Sequence, residues 1–277
     1  MCFSYQCTLA RLLIRLAVLL CPITVLLAES PAVEDPEALL QRIRSKVAEH
    51  LSQLPNYTCH EVVNRLLRPL NNTSGQMDRV ELEVAFVGRR ELFSRAGESQ
   101  FQDQPINKIV STGTIGSGSF GSLADSIFVE ESASFRYVEQ SKKDGHNAVH
   151  YEFEVPPEKS HFLLTHAGAQ GIVGYKGSFW ADIDTLDLVQ MEIKANRIPS
   201  SLGIRFVEEK MRYTLVRIRD SEFLLPRHTE LAASDSGGNY SLNATSLEQC
   251  REFSGQSVVT FQTPADGSSA DRQAPDQ

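Results

Sequence analysis

Cysteine, tryptophan and long apolar runs are scarce in this chain. Only five cysteines and one tryptophan occur in 277 residues, and Cys2, Cys7 and Cys21 crowd into the N-terminal segment. No run beyond residue 27 approaches the about 20 apolar residues that span a bilayer. The mature chain is therefore expected to be soluble and without a transmembrane segment. Basic residues are in deficit, 27 against 35 acidic ones, for a net charge of −8. That balance disfavours nucleic acid or an anionic membrane surface as partner. Catalytic signatures are missing too. There is no G-x-S-x-G nucleophile elbow, and neither Cys59 nor Cys250 has the setting of a catalytic thiol.

What is present begins with a leader. Arg11 and Arg15 precede an apolar stretch, Leu16 to Leu27, followed by small residues at Ala28 and Ala32. This is the layout of a secretory signal peptide, read here as residues 1–28; the alternative is a membrane anchor, for which the run is short. Cleavage removes two arginines and no acid, taking the mature protein to a net charge of about −10. Export implies a periplasmic or extracellular location. It would leave Cys59 and Cys250 as the remaining cysteines, and an oxidising compartment favours joining them. Two separate buried thiols are the alternative.

Residues 35–54 read DPEALLQRIRSKVAEHLSQL, with Leu39, Leu40, Ile43, Val47, Leu51 and Leu54 at spacings of three and four. Asp35 is placed to cap an amphipathic helix and Pro36 to open it. Period-two alternation follows: Val80 to Phe86, Val149 to Val155, Val189 to Ile193 and Met211 to Leu215. Short turn signals such as Lys143-Asp144-Gly145 separate these runs, and connections so short join antiparallel neighbours. One meander of about eight to eleven strands is predicted, with a short second helix in SLADSIFVEES after the Gly/Ser-rich Ser111 to Ser122. Residues 29–262 are read as a single domain, and 263–277, which have almost nothing to bury, as a disordered tail.

Three local patterns mimic active sites. Ile115 to Leu123, IGSGSFGSL, looks like a kinase glycine loop, but no V-A-I-K strand, D-F-G or βαβ unit surrounds it. His60-Glu61 begins an H-E-x-x-H that lacks its second histidine and lies in a strand pattern. His146 and His150, four apart on a strand, stand about 13 Å from each other, too far to share a metal. No catalytic residue, cofactor or metal site is assigned, and most acids are expected on solvated strand faces.

The second half carries a further pattern. Gly174-Tyr175-Lys176-Gly177-Ser178-Phe179-Trp180-Ala181-Asp182 leads through Thr185 into LVQMEIKA, then Pro199, Tyr213 in KMRYTLVRI, and Phe223-Leu224-Leu225-Pro226. Over residues 170–230 this resembles the outer-membrane lipoprotein-sorting proteins of the LolA/LolB-like superfamily, and above all exported proteins of that shape. The resemblance implies a mainly β, α+β fold: a strongly curved antiparallel half-barrel covered on its concave face by the N-terminal helix and a short second helix. In the carriers such a cavity holds acyl chains, so the implied partner is a lipid or a lipidated protein, without enzymatic chemistry. No residue matches a ligand-gripping arginine of the carriers. Phe86, Tyr151, Phe153, Trp180, Met191, Ile43 and Val47 are the bulky residues that line such a cavity or, alternatively, fill it. A filled cavity would make the same scaffold an envelope protein-interaction module. A hydrolase would instead show a cleft with paired acids or a Ser/His contact.

Overall fold

The computed structural model describes residues 35–71, 74–88, 90–98, 100–101, 104–117 and 121–253. The leader and the tail read from the sequence lie outside these residues. Helix α1 (Pro36–Gln53) follows the predicted capping: the Asp35 carboxylate accepts from the Glu37 amide at 3.4 Å and Pro36 occupies the first turn. Leu54, before Pro55, is extended, as the proline ring requires of its predecessor. Leu39, Leu40, Ile43 and Val47 form the buried stripe.

Three strands come next, β1 (Tyr57–Arg68), β2 (Gln76–Val87) and β3 (Arg90–Arg95). Two short helices, α2 (Ile106–Ile109) and α3 (Ser122–Phe128), precede β4 (Ser134–Lys143) and β5 (His146–Val155). A small hairpin, β6 (Leu163–His166) with β7 (Ala169–Ile172), interrupts the run. Then follow β8 (Gly174–Asp182), β9 (Leu188–Asn196), β10 (Ile204–Ile218), β11 (Ser221–Asp235) and β12 (Tyr240–Glu252). Ten strands form one antiparallel sheet, ordered β3-β2-β1-β12-β11-β10-β9-β8-β5-β4, curved but not closed into a barrel. Bulges at Thr58/His60, Tyr137/Glu139, Trp180/Ala181 and Arg212/Tyr213 bend the strands.

The expected plain meander is modified in two respects: β6 and β7 form a separate hairpin, so that β5 pairs with β8, and the first strand pairs with the last, Glu61 opposite Leu247 and Arg65 opposite Asn243. Across that seam Cys59 and Cys250 are joined in a disulfide spanning 191 residues of sequence. The seam also sends β3 and β4 to opposite edges of the sheet. The connection between them has to traverse a whole face, and its described parts do so: Ile106, Ile109, Val110 and Ile115 pack on β1, β2 and β12, while α3 packs beside α1.

The covered face therefore carries three apolar clusters. Under α1 and α3 lie Tyr151, Phe153, Tyr175, Phe179, Met191 and Met211. Under α2 and its flanks lie Tyr57, Leu82, Val84 and Phe86, and under the β6–β7 hairpin lie Ala195, Val207 and Leu231. The opposite, open face is polar. Arg136 with Glu152, Lys194 with Glu208, and Lys210 with Glu192 at 3.6 Å form cross-strand ion pairs there. Pairs this exposed contribute little to stability.

Gly177, part of the segment that carries the family resemblance, stands between Phe153 and Ile193. A Cβ there would sit 1.9 Å from the Glu192 carbonyl oxygen and 2.8 Å from the Phe153 ring. Gly177→Ala is therefore expected to shift β8 from β9 and lower the melting temperature sharply, which a thermal melt reads directly; an unchanged melt would contradict this packing. Closing a loop of this length stabilises by roughly 5 kcal/mol in the chain-entropy model. Cys59→Ser with Cys250→Ser is expected to lower the stability by several kcal/mol, and reducing the native protein before denaturant titration should reproduce the loss.

Candidate functional site

The covered face is not uniformly apolar. Where β1, β10, β11 and β12 meet, polar side chains sit beneath the connection and the lid. Glu61 lies in the middle of β1 with Leu82 and Leu247 as cross-strand neighbours. It is 3% exposed, and its Oε2 has no hydrogen-bond partner. Burial pushes its carboxyl up to about 8, with the negative potentials of Glu91 and Glu209 adding to the effect. At neutral pH this side chain is mostly a neutral acid, able to donate one hydrogen bond and to accept others.

Two further groups share its situation. The Tyr213 hydroxyl is sealed from solvent and unpartnered, and burial, then the charge of Glu209, hold it protonated far above its usual range. Asn243 is 2% exposed; its Nδ2 donates to the Thr114 carbonyl at 2.9 Å, while Oδ1 has no partner. Tyr57 belongs to the same neighbourhood, its hydroxyl raised first by burial and then by Glu91 and Tyr213.

Arg65 is the cation of this floor, and it is already engaged. Its Nε donates to Asp78 at 2.7 Å and its Nη1 to the Thr112 carbonyl at 2.6 Å. Gly113 lies against the same guanidinium, so close that a Cβ would fall 2.8 Å from Nη1. Thr114 also bonds Ser241, Oγ1 to Oγ at 2.8 Å. The residues 112–114 are thus a strap across the floor, tied by Arg65, Ser241 and Asn243.

Phe86, Tyr151, Phe153, Met191, Ile43 and Val47, expected as cavity lining, are all buried on the covered face or on the helix that faces it. They lie in direct ring and side-chain packing: Tyr151 stacks on Phe179 at 5.3 Å, Phe128 meets Phe179 at 4.9 Å, and Phe86 stacks on Tyr57 at 5.5 Å. Trp180 corrects the expectation. It is in register with His150 and Gln190 and points to the open face, because its neighbour Phe179 takes the covered one. There it stacks on His150 at 4.4 Å, with the Lys143 ammonium 4.0 Å from its ring centre.

Two concavities stand out among the described residues. A 220 Å³ cleft at the end of α1 is lined by Lys46, His50, Gln53, Asp187, Phe223 and Leu224, and Leu224 packs on the same core as Tyr213. The larger, an open trough of about 1040 Å³, is lined mainly by charged residues of the open face, Glu152, Lys176, Lys194 and Glu208 among them. Among the described residues no group of three or more His, Cys, Asp or Glu could hold a metal ion, and no helix is long and apolar enough to cross a membrane.

No protein-family model and no curated protein matches the chain. Solved structures to which it is similar include the following two. One is a domain named for outer-membrane lipoprotein sorting from Vibrio parahaemolyticus, at 11% identity and a TM-score of 0.42, over 79% of this chain and 94% of that one. The other is a DUF1329 family protein from Desulfovibrio piger, at 12% identity and a TM-score of 0.42, over 80% of this chain and 95% of that one.

Most acids are expected on solvated strand faces; Glu61 and Glu209, both buried on the covered face, are exceptions. The signal was available in the alternation Tyr57, Cys59, Glu61, Val63: if Cys59 points inward to a disulfide, period two sends Glu61 inward as well.

Because the folded protein holds the Glu61 proton more tightly than the unfolded chain, this group's contribution to stability is fullest below about pH 4.5 and is lost as pH rises through about 8. Glu61→Gln escapes that loss. Its gain in unfolding free energy over wild type should grow between pH 5 and pH 8 at up to about 1.4 kcal/mol per pH unit. Denaturant melts of both proteins at the two pH values check this, and an equal difference at both would contradict it.

Proposed function

We propose that this protein is an exported binding protein that takes an acyl-bearing ligand, a lipid or a lipidated protein, beneath its lid. The observation that supports this most is how the lid is held. Helix α1 rests on the sheet by apolar side chains on both sides of the boundary, Leu39, Ile43 and Val47 against Tyr151, Phe179 and Met191. Polar ties accompany this contact: the Tyr151 hydroxyl donates to the Pro36 carbonyl at 2.6 Å, Arg44 Nε donates to the Phe128 carbonyl at 3.1 Å, and Arg44 with Glu131 and His50 with Asp187 stand 3.7 Å apart. Apolar contact is non-directional, so an acyl chain can substitute for the helix stripe at little cost. The cleft beside His50 and Leu224 offers the chain a way in.

The disulfide supports export, since such bonds persist in oxidising compartments. The leader reading supports it too, and the acidic net charge fits a ligand that is not an anionic membrane surface. The alternative reading, an interaction module with a filled core, draws on the close packing of Phe128, Tyr151, Phe153 and Phe179.

Native mass spectrometry of the protein purified from its own envelope, with displacement of a fluorescent fatty acid, separates the two. Retained lipid and saturable displacement are expected. Bare protein with no displacement would overturn the carrier reading in favour of the interaction module.

A further inference from the structure

Resting on that reading, the cleft at the end of α1 points to the head group of the ligand. We propose that this cleft receives a neutral, hydroxyl-bearing head, a sugar or glycerol unit, between α1 and the turn that joins β8 to β9.

The cleft encloses 220 Å³, room for about seven water molecules at their liquid volume. Lys46, His50 and Gln53 line it from α1, and spacings of four and three put them on one face of the helix. Asp187 and Glu222 line it from the sheet, together with Phe223 and Leu224. Leu224 also packs on the core beneath α1, so the cleft is continuous with the surface that would take the acyl chain. Asp187 is presented by a tight turn. Asp182 Oδ1 accepts from the amides of Asp184 and Thr185 at 2.8 and 3.0 Å, and the Asp182 carbonyl accepts from the Leu186 amide at 2.9 Å. Leu186 holds a left-handed φ of 63° in that turn. A group fixed before binding loses little freedom when a ligand arrives.

The polar groups of the cleft are incompletely used. Asp187 Oδ1 is sealed from solvent without a hydrogen-bond partner. His50 Nε2 stands 3.7 Å from it, too far to bond, so the ring shields this oxygen without satisfying it. Burial above all holds the His50 imidazole below its ordinary value, so at pH 7 it is neutral and supplies no countercharge. A hydroxyl that enters as the ring turns aside would give Oδ1 its missing donor. On the α1 side, Gln53 Nε2 donates to Glu49 at 3.2 Å and has a second N–H to give. Lys46 is 3.7 Å from Glu49, a loose pair that leaves ammonium donors for a ligand. Donors thus come from the helix and acceptors from the sheet. An ammonium head would use the acceptors and set a like charge beside Lys46. A phosphate or carboxylate would use the donors and meet Asp187 and Glu222. A hydroxyl donates and accepts through one oxygen and brings no charge to either side, while the C–H groups of a polyol would lie on Phe223 and Leu224.

Calorimetric titration at pH 7 with four probes of equal chain length tests this: dodecyl glucoside, dodecylamine, dodecyl phosphate and dodecylphosphocholine, each below its micelle concentration. The glucoside should bind about tenfold or more tighter than each of the others. Asp187→Asn keeps the side chain's size and the Asp182 turn, and should abolish that preference. Gln53→Ala, at an exposed position of the last turn, should weaken the glucoside about threefold with the melting temperature unchanged. Equal affinity for all four probes, or a preference that survives Asp187→Asn, would overturn the hydroxyl site while leaving the carrier reading standing. Tightest binding of dodecylphosphocholine would overturn it in favour of a zwitterionic head. Methyl glucoside binding as tightly as dodecyl glucoside would support the cleft and overturn the carrier reading, and failure of every probe to bind would overturn both.

Discussion

A single antiparallel sheet of ten strands cannot bury one of its faces by itself, and everything else in this protein follows from how that face is covered. Alternation supplies an apolar side over most strands, but the sheet curves without closing, so the cover must come from outside the strands. The chain provides it twice. Helix α1 is laid down before the first strand, and the connection from β3 to β4 is forced across the face because its ends lie on opposite edges. The second cover is a topological consequence of pairing β1 with β12. The disulfide between Cys59 and Cys250 fastens that pairing, so the bond that holds the seam also fixes the route of the strap.

The two covers meet different surfaces. α1 and α3 lie on aromatic and methionine side chains and are held mostly by apolar contact. The strap lies on Arg65, Ser241 and Asn243 and is held by directed hydrogen bonds. One half of the cover is thus suited to sliding or lifting, and the other to staying in place. Glu61 and Tyr213 each hold a buried polar atom without a hydrogen-bond partner. Replacing such groups with apolar ones would relieve their desolvation cost.

Much of this architecture was legible in the residues. The three-and-four spacing from Leu39 to Val47, with Asp35 and Pro36 before it, defined α1 almost to the residue, because capping and amphipathicity are local effects. The period-two runs located β2, β5, β9 and β10 for the same reason, and the export reading paired Cys59 with Cys250. What escaped was non-local. Nothing near Ser111 says that residues 112–114 will cross the sheet, since that depends on which strands become its edges. Trp180 and Phe179 are both bulky neighbours, and the face each takes depends on the register with His150 and Tyr151. Glu61 looked like one more strand acid, and its burial depends on the register that sets Leu82 of β2 and Leu247 of β12 beside it.

The central claim is that α1 is a movable cover over a fixed sheet. Amide hydrogen exchange followed by mass spectrometry, with and without a fatty acid, tests it most directly, since it reads local opening segment by segment. The account predicts that α1 exchanges well ahead of β8, β9 and β10 in the free protein and that its exchange changes on ligand addition while the sheet's does not. Protection of α1 equal to that of the central strands, unaltered by ligand, would contradict it.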